Sequence, residues 1–149
     1  MHGFPQTKAI WHEVAPALAA HYTVVASDLL GYGQSSKPNG KPDHSSCSKR
    51  SMAASNPAYA HAMCEDYRAA ATIDLVHDRA DRGAGKKLAM PLHVLWGEHG
   101  LVHKCFKPVE DWQKVVNQVT GKSVPCGHYI PEELSRTVID EARLFFNGV

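Results

Sequence analysis

The stretch Leu92-His93-Val94-Leu95-Trp96-Gly97-Glu98-His99-Gly100 decides the fold class. A mostly apolar run passes straight into a glycine-bracketed turn, as a buried parallel strand does when it ends at a loop. Downstream, Trp112, Val115, Val116 and Val119 share one side of an amphipathic helix predicted over Val109 to Val119. Lys122 to Pro125 then reads as a short strand that leads into Cys126-Gly127-His128-Tyr129. Pro131-Glu132-Glu133 opens a last helix, with Val138, Ala142, Phe145 and Phe146 facing inward. Strands separated by helices mean α/β.

Working outward, Tyr22 to Ala26 is a short β-branched run and reads as a first strand. Before it, Ile10, Trp11, Val14, Ala15 and Leu18 fall at helical spacing, so a helix is expected over Ile10 to His21, kinked or ended by Pro16. After it comes the turn-rich Ser27-Asp28-Leu29-Leu30-Gly31-Tyr32-Gly33. Residues 34–55 are dominated by Ser, Lys, Pro, Asn and Gly without periodicity, and read as a flexible polar junction. Asn56-Pro57 starts an Ala-rich helix through Tyr59 to about Arg79, and Asp81 to Lys87 is a basic connection. No internal repeat interrupts the order, and one domain over 1–149 is expected.

The chain is long enough for one hydrophobic core, with 149 residues of which 44% are hydrophobic. Lys+Arg 16 against Asp+Glu 15 leaves a formal charge of +1, which provides no global field for nucleic acid or an anionic membrane. No apolar run reaches bilayer length. Met1-His2-Gly3-Phe4-Pro5 lacks the basic then apolar layout of a secretory signal, so a cytoplasmic location is expected. Cys47, Cys64, Cys105 and Cys126 form no CxxC pair, and free thiols are expected of them.

In open α/β sheets, function collects in loops beyond the carboxyl ends of the strands. Those loops here are Asp28 to Ser35, Gly97 to Gly100 and Gly127-His128, joined by the opening His2-Gly3-Phe4-Pro5-Gln6-Thr7. His128 follows a strand and a glycine and precedes a proline-started helix, so its ring can sit at a strand end. His99-x-x-x-His103-x-Cys105 has the spacing of one helix face, but Gly100 and its turn argue against a helix, and no fourth ligand is visible. No metal and no cofactor are expected.

Taken in order, HGFPQT, WHxVAPxLA, DLxGYGxS, CEDYRAAATIDLVHDRAD, LWGExG and GHYIPEE resemble the haloacetate (fluoroacetate) dehalogenases of the α/β-hydrolase superfamily. The resemblance covers nearly the whole chain except the junction near Ala53 to Asn56. It implies that residues 1–54 correspond to the family's N-terminal part and 55–149 to its C-terminal part. The fold it implies is a reduced α/β-hydrolase-like three-layer arrangement. Its small, mostly parallel sheet would have about three strands, ordered first, second, third, with helices on both faces.

The resemblance also implies roles. His128 matches the catalytic histidine that activates water against an ester formed on an aspartate. The backbone N–H of Phe4 would point at charge developing in the site, a task that suits a preorganised donor. Tyr67 matches a tyrosine that helps hold the departing halide, although the same residue reads equally well as a core tyrosine on a helix. His2, Gly3, Asp28, Gly31, Tyr32 and Gly33 would shape the site without doing chemistry. The implied ligand is a small haloacid or a halide anion.

One part of the family pattern is missing. The nucleophilic aspartate stands in a G-H-D-R-G-A-type elbow, and a second aspartate orients the histidine. Neither is found where the sequence passes from early-family to late-family text at Ala54-Ser55. Displacing halide from carbon needs an oriented nucleophile before any histidine can act. His77-Asp78-Arg79-Ala80 and Asp81-Arg82-Gly83-Ala84 mimic the elbow, yet both trail a helix where an elbow needs a strand before it. No nucleophile is therefore assigned, and the isolated chain is expected to be inactive. The alternative is a non-catalytic remnant or an interaction module that pairs with another copy through exposed sheet edges.

Overall fold

The computed structural model describes residues 2–3, 6–29, 32–35 and 57–148. Phe4, Gly31 and most of the polar junction lie outside the described residues. The elements are a 3₁₀ turn at Lys8–Trp11, then α1 (Val14–Ala19), α2 (Pro57–Ala71), α3 (Ile73–Gly83) and β1 (Leu92–Gly97). They continue with α4 (Leu101–Cys105), α5 (Pro108–Gln113), β2 (Val119–Val124), α6 (Ile130–Glu133) and α7 (Ser135–Asn147). The chain forms two compact units, one of Met1–Ile10 with Val25–Asp78, the other of Trp11–Val24 with Arg79–Val149.

The second unit holds the sheet. β1 and β2 pair in parallel from Leu92↔Val119 to Gly97↔Val124, and a bridge at Leu88↔Val116 extends the pairing upstream. The connection between the strands runs through α4 and α5, because a parallel pair cannot be joined by a tight turn. His93 and Leu95 face a hollow walled by α7 residues Val138, Glu141 and Ala142. Val94 and Trp96 line another hollow with Val102, Pro108 and Trp112 from α4 and α5. Helices therefore cover both faces of the sheet. Val14, Val116, Val124, Cys126 and Ile139 are its buried apolar centre.

Polar groups tie α7 to the sheet. His93 Nε2 lies 3.0 Å from Glu141 Oε2, and its Nδ1 lies 2.7 Å from Thr120 Oγ1 on the neighbouring strand. Lys122 Nζ meets the other Glu141 oxygen at 2.6 Å, and the His93 ring stacks on Phe145. The ammonium of Lys122 holds the Glu141 carboxyl below the usual range, against the opposing pull of burial. One carboxylate thus satisfies a side chain from each strand.

Several local expectations change. Tyr22 to Ala26 is not a strand: among the described residues it has no ladder partner, and Val25 is 84% exposed. A strand exists only by pairing, so β-branched sequence without a neighbour stays extended coil. The described sheet has two strands in consequence. The helix expected over Val109 to Val119 stops at Gln113, because Leu88 draws Val116 into a bridge and Val119 begins β2. Pro16 does not stop α1; it sits in the first turn, where its missing N–H costs no helical bond. Gly100 does not forbid a helix either. It is the N-cap of α4, which carries His103 and Cys105.

The long helix predicted after Asn56 is broken at Thr72, whose hydroxyl donates back to the Arg68 carbonyl at 2.6 Å. Cys105 and Cys126 are free thiols, but Cys64 is disulfide-bonded, which corrects the expectation of free thiols throughout. Bridging depends on three-dimensional approach, which sequence spacing does not report. Among the described residues no helix is long and apolar enough to cross a membrane.

Gly121 makes the strand pairing intimate. A Cβ added there would meet the Val94 carbonyl oxygen at 2.3 Å. Gly121→Ala is therefore expected to lower stability by about 1–3 kcal/mol, the cost of overpacking a fixed neighbour. Urea unfolding checks this, and an unchanged midpoint would contradict the register.

Candidate functional site

Because Gly97 pairs with Val124, both strands end at the same level and their loops leave side by side. The Glu98 N–H donates to the Val124 carbonyl at 2.9 Å, and the His99 N–H donates to Cys126 at 3.1 Å. A Cβ on Gly97 would lie 1.8 Å from the Gly127 carbonyl oxygen, so this crossing admits only glycine. His128 comes next. It is exposed, with its ring edge-on to Tyr129 at 5.4 Å.

Glu133, in the short helix after the loop, holds the histidine segment. Its carboxylate accepts from the Gly127 N–H at 2.6 Å and from the Tyr129 N–H at 2.9 Å, bracketing His128 from both sides. Those two backbone bonds hold the Glu133 carboxyl below the usual range, with smaller help from the charges of His99 and His128. Sequence reading places Glu133 in the GHYIPEE text without a task. The signal was the spacing: a carboxylate in the first turn of a helix reaches back to free N–H groups, as in a capping box.

His128 borders two hollows. One, of about 330 Å³, is mostly apolar and lined by Trp11, Leu95, Ile130, Val138 and Phe146, with His93 and Glu141 as polar members. The other, of about 200 Å³, lies on the opposite sheet face beside Gly97, Gly100 and Trp112. No hydrogen bond to a carboxylate orients the His128 ring among the described residues. Cys126 is the nearest thiol in sequence, but burial pushes its pKa up, with Glu133 and Glu98 adding to the effect. A buried thiol held protonated is a poor nucleophile.

The first unit assembles most of the residues expected to shape the site. Asp28, its side chain 2% exposed, accepts from the Lys8 N–H at 2.7 Å and the Gln34 N–H at 3.0 Å. His2 Nε2 accepts from the Leu29 N–H at 3.1 Å while Nδ1 faces the Gly3 carbonyl at 3.2 Å, which fits a neutral ring with its proton on Nδ1. Tyr32 is buried against that ring, centroids 5.1 Å apart. Gly33 has φ +47°, and a Cβ there would strike the Asp28 carboxylate at 2.3 Å. His2, Asp28, Tyr32 and Gly33 thus form one polar turn in which every Asp28 oxygen is engaged.

The remaining expected positions lie on helices. Tyr67 lies on α2 and is 58% exposed. Asp78 and Asp81 are exposed within α3, with no strand leading into it, and Asp81 pairs with Lys86 at 2.6 Å. Neither occupies a strand-to-helix elbow. Among the described residues no group of three or more His, Cys, Asp and Glu could hold a metal ion.

Two carboxylates make pH-dependent predictions. The Lys8 backbone bond, assisted by Gln34, lowers the Asp28 pKa against the opposing pull of burial. A folded pKa below the unfolded one gives stability above the usual carboxylate range that is lost as pH falls through the depressed value. Asp28→Asn is expected to cost about 1–3 kcal/mol at neutral pH and to flatten the acid limb of an unfolding-versus-pH profile. An equally steep limb would remove Asp28 from that role. For Glu133, the same sign applies: Glu133→Gln should speed hydrogen exchange at the Gly127 and Tyr129 amides, and unchanged protection would show that the bracket is not what holds the loop.

Comparison with known proteins places these features. The family model described as "alpha/beta hydrolase fold" matches residues 1–80, more than half of the chain. A fluoroacetate dehalogenase from Burkholderia sp is 60% identical over 53 residues, 36% of this chain and 17% of that enzyme. A soluble epoxide hydrolase from Corynebacterium sp. (strain C12) is 53% identical over 38 residues, 26% of this chain and 13% of the enzyme. The matches therefore span well under two thirds of either relative. A solved structure, a proposed alpha/beta hydrolase from Nostoc sp PCC 7120, superposes with a TM-score of 0.86 at 25% identity, covering 98% of this chain and 89% of that one. The sheet with helices on both faces, the whole-chain superposition and the family match agree: this chain belongs to the α/β-hydrolase fold family.

Proposed function

We propose that this chain is a haloacetate-dehalogenase-type α/β hydrolase that retains its histidine loop but does not itself cleave a carbon–halogen bond. The observation that carries the reading is the placement of the acidic side chains. Asp28 is consumed by backbone N–H groups, while Asp78 and Asp81 lie within a helix. None of them stands at a strand end where a carboxylate could attack carbon.

The chemistry makes that placement decisive. In the proposed reaction class, a carboxylate oxygen attacks the carbon bearing the halogen, forming an ester and expelling halide. Water then hydrolyses the ester with a histidine taking its proton. His128 is the candidate for the second step, with Phe4 and Tyr67 as the candidate donors to developing charge and halide. Without the first step there is no ester for the histidine to resolve, and loss of one member of a cooperative set removes most of the rate. The 53-residue likeness to a fluoroacetate dehalogenase supports the substrate class, a small 2-haloacid.

Fluoride release from fluoroacetate tests the proposal. The purified chain is expected to release none above the buffer rate, and His128→Ala is expected to change nothing. Fluoride released by the chain and abolished by Asp78→Asn or Asp81→Asn would overturn the reading, since one of those aspartates would then be attacking carbon.

A further inference from the structure

A polar hollow in the second unit shares no lining residue with the two beside His128. It measures about 380 Å³ and is lined by His21, Tyr22, Arg143 and Asn147. No carboxylate is among those four, so the wall is made mainly of hydrogen-bond donors. Its position follows from the packing of α1 on α7, which brings His21 and Tyr22, just past α1, against the last turns of α7.

Arg143 is the residue that demands explanation. Its Nη2 donates to the Ala17 carbonyl at 3.1 Å, a helix-end contact that uses one of five N–H donors. Its Nε is buried and finds no acceptor. None of the ion pairs among the described residues includes it, although every other arginine or lysine of α7 and the neighbouring β2 with an ion pair has a carboxylate on or beside its own element. Leaving a partly buried guanidinium without a counter-charge is costly unless something supplies one.

The other lining groups point the same way. Tyr22 Oη donates to Asn147 Oδ1 at 2.9 Å, which leaves the Asn147 amide nitrogen as a donor. The His21 ring stands edge-on to Tyr22 at 6.4 Å and adds a further nitrogen. A carboxylate presents two acceptor oxygens in one plane, whereas a phosphate presents three or four around a tetrahedral centre. The arginine fork matches either anion, and the tetrahedral one offers further acceptors to the donors on the other walls of the hollow. The hollow is also larger than a bare phosphate requires.

We propose that this hollow binds the phosphate group of a small phosphomonoester, with Arg143 as its principal ligand and His21 and Asn147 as secondary donors. Inorganic phosphate serves as the probe. It is titrated at constant ionic strength into ¹⁵N-labelled chain, following the Arg143 Nε–Hε resonance and the His21, Tyr22 and Asn147 amides. Saturable shifts confined to these groups are expected, with acetate binding more weakly. Arg143→Gln should weaken binding by at least about tenfold, the loss of one charged hydrogen bond, and His21→Ala by a smaller factor. Because Arg143 also contacts Ala17, His21→Ala, which leaves that bond in place, keeps the test valid should the arginine variant fail to fold. No saturable shift, acetate binding as tightly as phosphate, or affinity unchanged in a folded Arg143→Gln or in His21→Ala would overturn the proposal.

Discussion

The parallel ladder between β1 and β2 is the constraint on which the candidate site depends. Its register brings Gly97 level with Val124, so the loops that follow leave from one end of the sheet. They lie so close that the Gly127 carbonyl occupies the space a Gly97 side chain would take. Everything about His128 follows from this. The histidine sits where a strand end and a helix start are joined by five residues, and Glu133 closes that joint with two backbone hydrogen bonds. A charged acceptor shared by two N–H groups is stronger than two neutral contacts, which lets so short a loop hold a defined shape.

The ladder is held in turn by polar contacts as much as by apolar burial. With six residues in each strand and few side chains fully buried, apolar area alone gives a thin core. Glu141 compensates by joining His93 of β1 and Lys122 of β2 to α7. The first unit uses the same device in another form. Asp28 binds the backbone at Lys8 and Gln34, segments 20 and 6 residues away from it, and draws His2 and Tyr32 into the turn. In both units one carboxylate organises a neighbourhood that has little hydrophobic area to spend.

That economy bears on function. A carboxylate committed to backbone N–H groups stays ionised, but its lone pairs are taken and its position is buried, so it is unsuited to attack a substrate. Asp28 is of this kind; Glu133 is exposed but has both carboxylate oxygens engaged by backbone N–H groups, and burial pushes the pKa of the Cys126 thiol up. The α/β-hydrolase fold normally lifts its nucleophile onto a strained turn at a strand end. Here β1 ends in Gly97, followed by Glu98, whose carboxylate accepts from Ser123 at 2.9 Å, and the loop after β2 carries Gly127 and His128.

Local sequence settled a good part of this. The apolar run at Leu92, the glycine that follows it and the proline-started helix after His128 announce an α/β unit, because a strand covered by helices is apolar and ends in a turn. The motif order also identified the turn around Asp28 and the histidine loop. Tertiary structure alone decided the rest, since pairing and approach are properties of neighbours. Tyr22 to Ala26 has strand composition but no ladder partner among the described residues. Val116 has helical spacing but is taken by Leu88. Glu133 and Arg143 look like ordinary surface charges in the sequence; folding brings one under a loop and the other, without a carboxylate, into a hollow. Composition states what a segment can bury, but only the folded chain determines which donor meets which acceptor.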